Sequence, residues 1–243
     1  MRIAGEWRAG GRHGRVGLLP SLAMKADSGV LKVILADDHE VMRDGLQSLI
    51  EGQSDMSVVA TVGTGRSAVR LAKKMNPDVV VMDIGMPDLN GIDATGQIAE
   101  DAGHVTVLCL SMHKEQSMIG AMLRAGASGY LVKNCAAREL VDAIRTVASG
   151  KTYLSPAIAG DVVKTYISGR PEKGGSVYSE TSDREREVLQ LIAEGRNTKE
   201  IADVLGISDK TVAAHRVKLM EKLGCPSVAD LTRYAIRQGL VDA

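Results

Sequence analysis

The sequence contains no phenylalanine, and aromatic residues make up only 2% of its 243 positions. Hydrophobic residues nevertheless reach 44%, so any core must consist of aliphatic side chains and the 11 methionines. A chain of this length exceeds the usual size of one domain and predicts two. No apolar run approaches the roughly 20 residues that a membrane-spanning helix needs. The run Val16–Leu19 stops at Pro20 and is too short for the core of a secretory signal.

The three cysteines, Cys109, Cys135 and Cys225, lack the spacing of a metal site or a disulfide framework. They indicate reduced thiols and hence a cytoplasmic protein. The formal net charge is zero, so the chain as a whole gives no indication of nucleic-acid binding. Residues 30–150 are nevertheless acidic, with 15 acidic against 11 basic side chains, and this balance favours a cation site there.

Composition and periodicity divide the chain into an N-terminal extension (1–29), an α/β domain (30–150), a linker with a short helix (151–179) and an all-α domain (180–243). The extension is rich in Gly and Arg without periodicity, so we expect it to be disordered. Met24 stands just before the first strand, and a sharper hypothesis is that residues 1–23 are not native. In the second part, strand and helix patterns alternate five times, which predicts a doubly wound, flavodoxin-like sheet of five parallel strands.

Polar residues follow four of the apolar runs in the α/β domain, at the point where each run ends. These residues are Asp37, Asp38, Asp83, Ser111 and Lys133. Because the carboxyl ends of parallel strands share one edge, we expect all five side chains to converge. Three carboxylates, a hydroxyl and a lysine suit Mg²⁺ and a phosphoryl group. A single Asp at a strand end is most often a cap, and Asp78, Asp88, Asp93 and Asp142 are expected to be caps or solvated.

This pattern resembles the receiver domain of response regulators over residues 31–149. The likeness is carried by the Asp37-Asp38 pair, by Asp83-Ile84-Gly85-Met86-Pro87 with Asn90-Gly91, by Ser111 and by Lys133. It implies that Asp83 accepts a phosphoryl group from the phosphohistidine of a sensor histidine kinase. Asp38 would bind Mg²⁺ directly, Asp37 mostly through water, and Asp83 and the Gly85 carbonyl would complete the protein ligands.

The same resemblance implies that Ser111 and Lys133 sense the phosphoryl group and that Tyr130 follows Ser111 inward as the switch aromatic. Two departures from the family pattern stand out. Gly85 offers no side chain over the phosphoryl group, which leaves His113 as the other side chain expected to overhang it. Lys133 is followed by Asn134 where many receivers have Pro, so the loop has no cis-proline bond.

The all-α domain shows the spacing of a helix-turn-helix. A two-turn helix opens at Asn197-Thr198, Gly206-Ile207-Ser208 forms a tight turn, and a longer helix covers 209–223. On the longer helix, Val212, Leu219 and Leu223 form the stripe expected to face the core. Its outer face is expected to enter the major groove of DNA.

This domain resembles the LuxR-type helix-turn-helix, and its union with a receiver is typical of NarL/FixJ-type response regulators. The matching runs include Asp183–Leu189, Lys199–Ala202, Leu205–Ser208, Lys210–Val212 and Lys222–Gly224. The candidate DNA contacts are Lys199, Lys210, Thr211, Ala214, His215, Val217 and Lys218. Because Ala213, Ala214 and Val217 offer no hydrogen bonds from their side chains, we expect modest discrimination between bases.

The sequence thus predicts a cytoplasmic transcription regulator that is phosphorylated on Asp83, dimerises, and acts on double-stranded promoter DNA and RNA polymerase. It would accept and slowly lose its own phosphoryl group without turning over a substrate. One alternative is a DNA-binding regulator that does not depend on phosphorylation. Another is a phosphatase-like hydrolase, which would need an acid–base carboxylate just after the nucleophile. Gly85 argues against the hydrolase.

Overall fold

The computed structural model describes residues 29–168 and 176–241. The predicted disorder of the extension and the alternative start at Met24 concern residues 1–28 and lie outside the described residues. The Gly-rich part of the predicted linker, residues 169–175, lies outside them as well. Within the described ranges, no helix combines the length and the apolar character that a membrane span requires.

Residues 31–148 form a parallel sheet with helices on both faces, as predicted. The elements in chain order are β1 (Leu31–Ala36), α1 (Glu40–Glu51), β2 (Met56–Val62), α2 (Gly65–Met75), β3 (Val79–Met82), α3 (Gly91–Asp101), β4 (Thr106–Ser111), α4 (Gln116–Arg124), β5 (Gly129–Val132) and α5 (Ala137–Ala148). With a further strand β6 (Tyr153–Leu154), the sheet order is β2-β1-β3-β4-β5-β6, and every neighbouring pair is parallel. Strands β3 and β5 are buried along their whole length, which explains their continuous apolar runs.

A sixth strand, β6 (Tyr153–Leu154), corrects the prediction of five. It pairs with β5 inside the segment predicted as a linker, where the Tyr153 N–H donates to the Ser128 carbonyl and the Ser155 N–H to the Tyr130 carbonyl. A strand of two residues is too short to show periodicity in the sequence. Helix α6 (Pro156–Ser168) follows and is the short helix predicted within the linker.

The sheet separates two aliphatic cores. Helices α2, α3 and α4 cover one face, where Ile34, Met82 and Ile98 are fully buried. Helices α1 and α5 cover the other face, packed on Leu35, Val81 and neighbouring residues. The start of α3 lies directly against the end of β3, because a Cβ at Gly91 would stand only 1.8 Å from the Asp83 carbonyl oxygen. This close approach sets the position of the loop after Asp83.

The C-terminal part is helical, with α7 (Val177–Glu180), α8 (Asp183–Ala193), α9 (Thr198–Leu205), α10 (Asp209–Lys222) and α11 (Val228–Arg237). Capping boxes at Ser182 and Asn197 begin α8 and α9. Gly206 ends α9 with a φ of 63°, which glycine adopts without strain. Val212 and Leu219 are buried and Leu223 is half-buried, so the core stripe of α10 is confirmed. Helices α9 and α10 form the predicted helix-turn-helix.

Candidate phosphoryl site and DNA-binding surface

The ends of β1 and β3 bring the predicted acidic residues together. Ala36 pairs with Met82 in the sheet, so Asp37 and Asp83 leave adjacent strands side by side. Oxygens of Asp37, Asp38 and Asp83, with a ring nitrogen of His39, lie within 4.8 Å of one another. Asp37 and Asp83 are buried, whereas the side chain of Asp38 is 32% exposed. The cluster therefore opens to solvent on the side of Asp38.

Lys133 reaches this cluster from the end of β5. Its Nζ lies 2.7 Å from Asp37 Oδ2 and 2.7 Å from Asp83 Oδ2, and its side chain is only 6% exposed. Burial raises the pKa of Asp83, although the nearby ammonium partly opposes this effect. Burial opposes the charge of Lys133 too, but the two carboxylates outweigh it and raise the pKa of the lysine. The lysine is thus held as a cation between two carboxylates.

The donor set suits a small hard cation. Three carboxylates at one edge repel one another unless a cation lies between them, and Mg²⁺ prefers oxygen ligands. The Ile84 N–H donates a hydrogen bond to Asp83 Oδ1 at 2.8 Å and so orients the carboxylate. Gly85, whose carbonyl is a predicted ligand, follows Ile84 in the loop. Sequence reasoning missed His39, whose Nδ1 lies 2.7 Å from Asp38 Oδ1. Its position directly after the Asp pair was the available signal.

Ser111 and Tyr130 lie together beside this site, on β4 and β5. The Ser111 side chain is buried, and its Oγ accepts the His113 N–H at 3.2 Å. The Tyr130 hydroxyl donates to the His113 carbonyl at 3.0 Å, and the residue is fully buried. Tyr130 therefore already occupies, in this structure, the buried position to which it was expected to move. His113 itself is half-buried and its Nδ1 lies 3.3 Å from a Glu115 carboxylate oxygen.

The outer face of α10 is open to solvent. Six of the seven candidate DNA contacts are exposed, and the seventh, His215, is half-buried; the exposed ones are Lys199, Lys210, Thr211, Ala214, Val217 and Lys218. Thr211 Oγ1 lies 2.8 Å from the Ser208 hydroxyl at the helix start. Lys218 Nζ lies 2.8 Å from Glu185 Oε1, so its ammonium already has a carboxylate partner on α8.

Glu185 is a buried carboxylate between two lysines of α10. Lys218 and Lys222, each 2.8 Å away, and the Ser182 N–H lower its pKa from 4.5 to about 2. A carboxyl whose pKa is lowered by folding contributes stability above its unfolded pKa and loses that contribution as the pH falls through the folded value. This contribution should therefore fade between pH 4.5 and about 2.

We expect Glu185→Gln to lower the melting temperature of the C-terminal domain at neutral pH. The difference from the wild type should shrink as the pH falls below 4.5, because the wild-type carboxylate then becomes protonated. Calorimetry across this pH range measures it, with Glu221→Gln on the exposed face of α10 as the control. A difference that is independent of pH would contradict the assigned role of the carboxylate.

The two domains are in contact through α8. Arg186 donates to Asp93 Oδ1 from Nε at 3.0 Å and from Nη2 at 2.7 Å, and both side chains are buried. The expectation that Asp93 is a cap or a solvated group is therefore wrong. Burial raises the pKa of Asp93, and Arg186 opposes that rise. The loop after Asp83 also contacts Gln190 of α8 and Glu194, the residue that caps the C-terminal end of α8.

Two family models match the chain. The response regulator receiver domain matches residues 33–145, and the luxR family of bacterial regulatory proteins matches residues 180–235. A receiver with an acidic pocket, joined to a helix-turn-helix, defines a regulator that receives a signal in one domain and acts on DNA with the other. The chain belongs to the two-component response regulators of the NarL/FixJ type. Members of this family regulate transcription rather than act as catalysts.

Relatives match across both domains. The chain is 37% identical over 216 residues to the oxygen regulatory protein NreC of Staphylococcus carnosus, covering 87% of this chain and 100% of NreC. It is 36% identical over 214 residues to the response regulator UvrY of Escherichia coli, covering 88% and 97%. A structure of the RcsB response regulator of Salmonella typhimurium aligns with a TM-score of 0.59 at 26% identity, covering 87% and 99%.

Proposed function

We propose that Asp83 is the phosphoacceptor of this response regulator and that a sensor histidine kinase supplies the phosphoryl group. The observation that carries the proposal is the meeting of Asp37, Asp38, Asp83 and Lys133 at one edge of the sheet. A carboxylate oxygen of Asp83 attacks phosphorus, the N–P bond of the phosphohistidine breaks, and the imidazole leaves with the electron pair. Lys133, already 2.7 Å from Asp83, offsets the charge that develops.

Mg²⁺ is the proposed cofactor of this transfer. Asp38, which is the most exposed of the three carboxylates, would bind it directly, and Asp37 mostly through water. Asp83 and the Gly85 carbonyl would complete the protein ligands. When bound, the cation neutralises phosphoryl oxygens during transfer. Gly85 has no side chain that could orient or exclude water beside the acyl phosphate. The rate of hydrolysis would therefore depend on the access of solvent and on the residues around His113.

The proposed output is dimerisation on promoter DNA. Ser111, Lys133 and Tyr130 would repack around the phosphoryl group and alter the surface near residues 111–133. Two DNA-binding domains joined in a homodimer gain avidity for two half-sites, which compensates for few hydrogen bonds to bases. RNA polymerase is the proposed further partner, and the cytoplasm the proposed location. The functional units would be residues 30–150 and 180–243, joined by 151–179.

A small-molecule phosphodonor tests the switch. With donor and Mg²⁺, the wild type should gain one phosphoryl group by mass spectrometry, form dimers by light scattering, and bind an operator selected from random DNA more tightly. Asp83→Asn keeps the size of the side chain and removes the nucleophile, so it should show none of these changes. Equal DNA affinity in all samples would instead support the regulator that does not depend on phosphorylation.

Lys210→Ala tests the assignment of the DNA-binding face. Lys210 is exposed at the start of α10 and should contact a phosphate. Its loss should weaken binding about equally on all sequences and reduce the salt slope by about 1. Titrations at several salt concentrations, with selected and unrelated DNA, measure both effects. Relaxed preference at a single base pair would show that Lys210 contacts a base instead.

A further inference from the structure

The loop that follows Asp83 is held by the DNA-binding domain. We call residues 84–90 the acceptor loop. Gln190 of α8 donates from Nε2 to the Met86 carbonyl at 2.9 Å, and its Oε1 accepts the Asn90 N–H at 2.8 Å. The Asp88 N–H donates to Glu194 Oε1 at 3.0 Å. Three backbone groups of the acceptor loop therefore find their partners on Gln190 of α8 and on Glu194, the residue that caps the C-terminal end of α8.

Further contacts fix both the side chains of Gln190 and Glu194 and the acceptor loop itself. Gln190 is fully buried, and its Nε2 also donates to Glu194 Oε1 at 2.8 Å. Asp88 has a φ of 66°, a left-handed conformation that is uncommon outside glycine although Asp adopts it more readily than most residues, and its N–H is fixed by the bond to Glu194. On its inner side, the Gly91 N–H donates to the Ile84 carbonyl at 2.9 Å. The acceptor loop is thus held from both sides.

We propose that Gln190 and Glu194 are positioning residues for the phosphoryl site, so that the DNA-binding domain helps to shape the metal-binding loop of the receiver. This inference rests on the proposed function, in which the Gly85 carbonyl is a metal ligand. Gly85 immediately precedes Met86, whose carbonyl Gln190 holds. Partners that orient a ligand from outside the first coordination sphere raise metal affinity by removing alternative positions of that ligand.

The coupling must be reciprocal. If docking of α8 tightens Mg²⁺ binding, Mg²⁺ must stabilise docking by the same factor. This coupling is compatible with DNA binding, because Lys210, Ala214 and Val217 on the DNA-binding face remain exposed while α8 is docked. The state of the phosphoryl site can therefore be transmitted to the DNA-binding domain without covering or uncovering α10.

The test uses the full chain and Mg²⁺ alone as the probe. Gln190→Met preserves the size of the side chain and removes its hydrogen bonds, and Glu194→Ala removes the acceptor for Asp88. The matched control is Gln97→Met, because Gln97 lies at the same interface and donates to Glu187 Oε1 at 3.0 Å from α3 rather than from the loop. Calorimetric titration gives the Mg²⁺ affinity, hydrogen–deuterium exchange reports the protection of α8, and melting curves check folding.

We expect Mg²⁺ affinity to fall about 10-fold in Gln190→Met, less in Glu194→Ala, and not at all in Gln97→Met. Mg²⁺ should slow exchange in α8 of the wild type and of the control but not of Gln190→Met, an effect that a merely structural role would not produce. If Gln190→Met does not fold, the Mg²⁺ affinity of Glu194→Ala tests the proposal instead. Wild-type affinity, or tighter binding, in the folded variants would overturn the positioning role alone. A wild type that neither binds Mg²⁺ nor accepts phosphoryl would overturn the proposed function as well.

Discussion

Replacing Lys133 by Met should lower the free energy of unfolding by about 3–5 kcal/mol in buffer without divalent cations. The substitution leaves Asp37 and Asp83, which are 4% and 7% exposed, without the ammonium that lies 2.7 Å from each. A buried charge that loses its partner retains its desolvation penalty, and here two like charges would also face each other. Denaturant titration of wild type and variant measures the loss.

Mg²⁺ should restore part of this stability. A cation that binds only the folded chain stabilises it by mass action, and it would replace the charge that the variant lacks. The increase in unfolding free energy at millimolar Mg²⁺ should therefore be larger for Lys133→Met than for the wild type. An equal increase in both proteins would contradict the assignment of these carboxylates as ligands.

The same variant should depend on pH in a defined direction. Burial already raises the pKa of Asp83, and loss of Lys133 should raise it further. A carboxyl with a raised folded pKa destabilises the folded state, so the deficit is absent well below the ordinary carboxyl pKa, grows as the pH rises towards the raised folded pKa, and is complete above it. The deficit should thus be smaller in acid, near the ordinary pKa of a carboxyl, than at neutral pH. Lys73→Met removes an exposed ion pair with Asp101 and serves as the control, with a loss of at most about 1 kcal/mol.

The sheet and its polar edge were predictable because each depends on residues that are close together in the sequence. Apolar runs define the strands, and Asp37, Asp83, Ser111 and Lys133 occupy the positions where those runs end. Parallel pairing then brings the ends to one edge whatever the details of packing. The helix-turn-helix was predictable for a similar reason, since its caps and its Gly206 turn are encoded within a few residues.

The contact between the domains was not predictable from periodicity. Arg186 and Gln190 are polar residues on a helix whose core stripe is apolar, so the sequence pattern places them on a solvated face. Their burial results from the contact between the two domains, and the expectation for Asp93 was wrong for the same reason. Tyr130 illustrates another limit, because the sequence indicates its place on β5 but not which of its alternative side-chain positions is occupied.

The second large effect is expected at this contact, where Arg186→Met should cost about 3–5 kcal/mol and separate the two domains. The guanidinium donates to Asp93 from α8 and also to the Thr181 carbonyl at 2.8 Å, and its side chain is only 7% exposed. Without Arg186, the docked state would bury the Asp93 carboxyl without a counter-charge and raise its pKa further. Separation of the domains returns this carboxyl to water, so the uncompensated charge favours the undocked state. Denaturant titration gives the loss, and a larger radius of gyration in X-ray scattering reports separation.

Two companion variants separate this ion pair from general damage. Arg145→Met breaks a comparable bidentate pair with Asp55 in which both side chains are about two-fifths exposed, and it should cost far less stability than Arg186→Met because solvent screens the pair. Combining Arg186→Met with Asp93→Leu removes both charges, and much of the lost stability should return because no uncompensated charge remains buried. If Arg186→Met alone costs no more than Arg145→Met and leaves the radius unchanged, the pair does not hold the domains together. Docking would then depend on the bonds that Gln190 and Glu194 make to the acceptor loop.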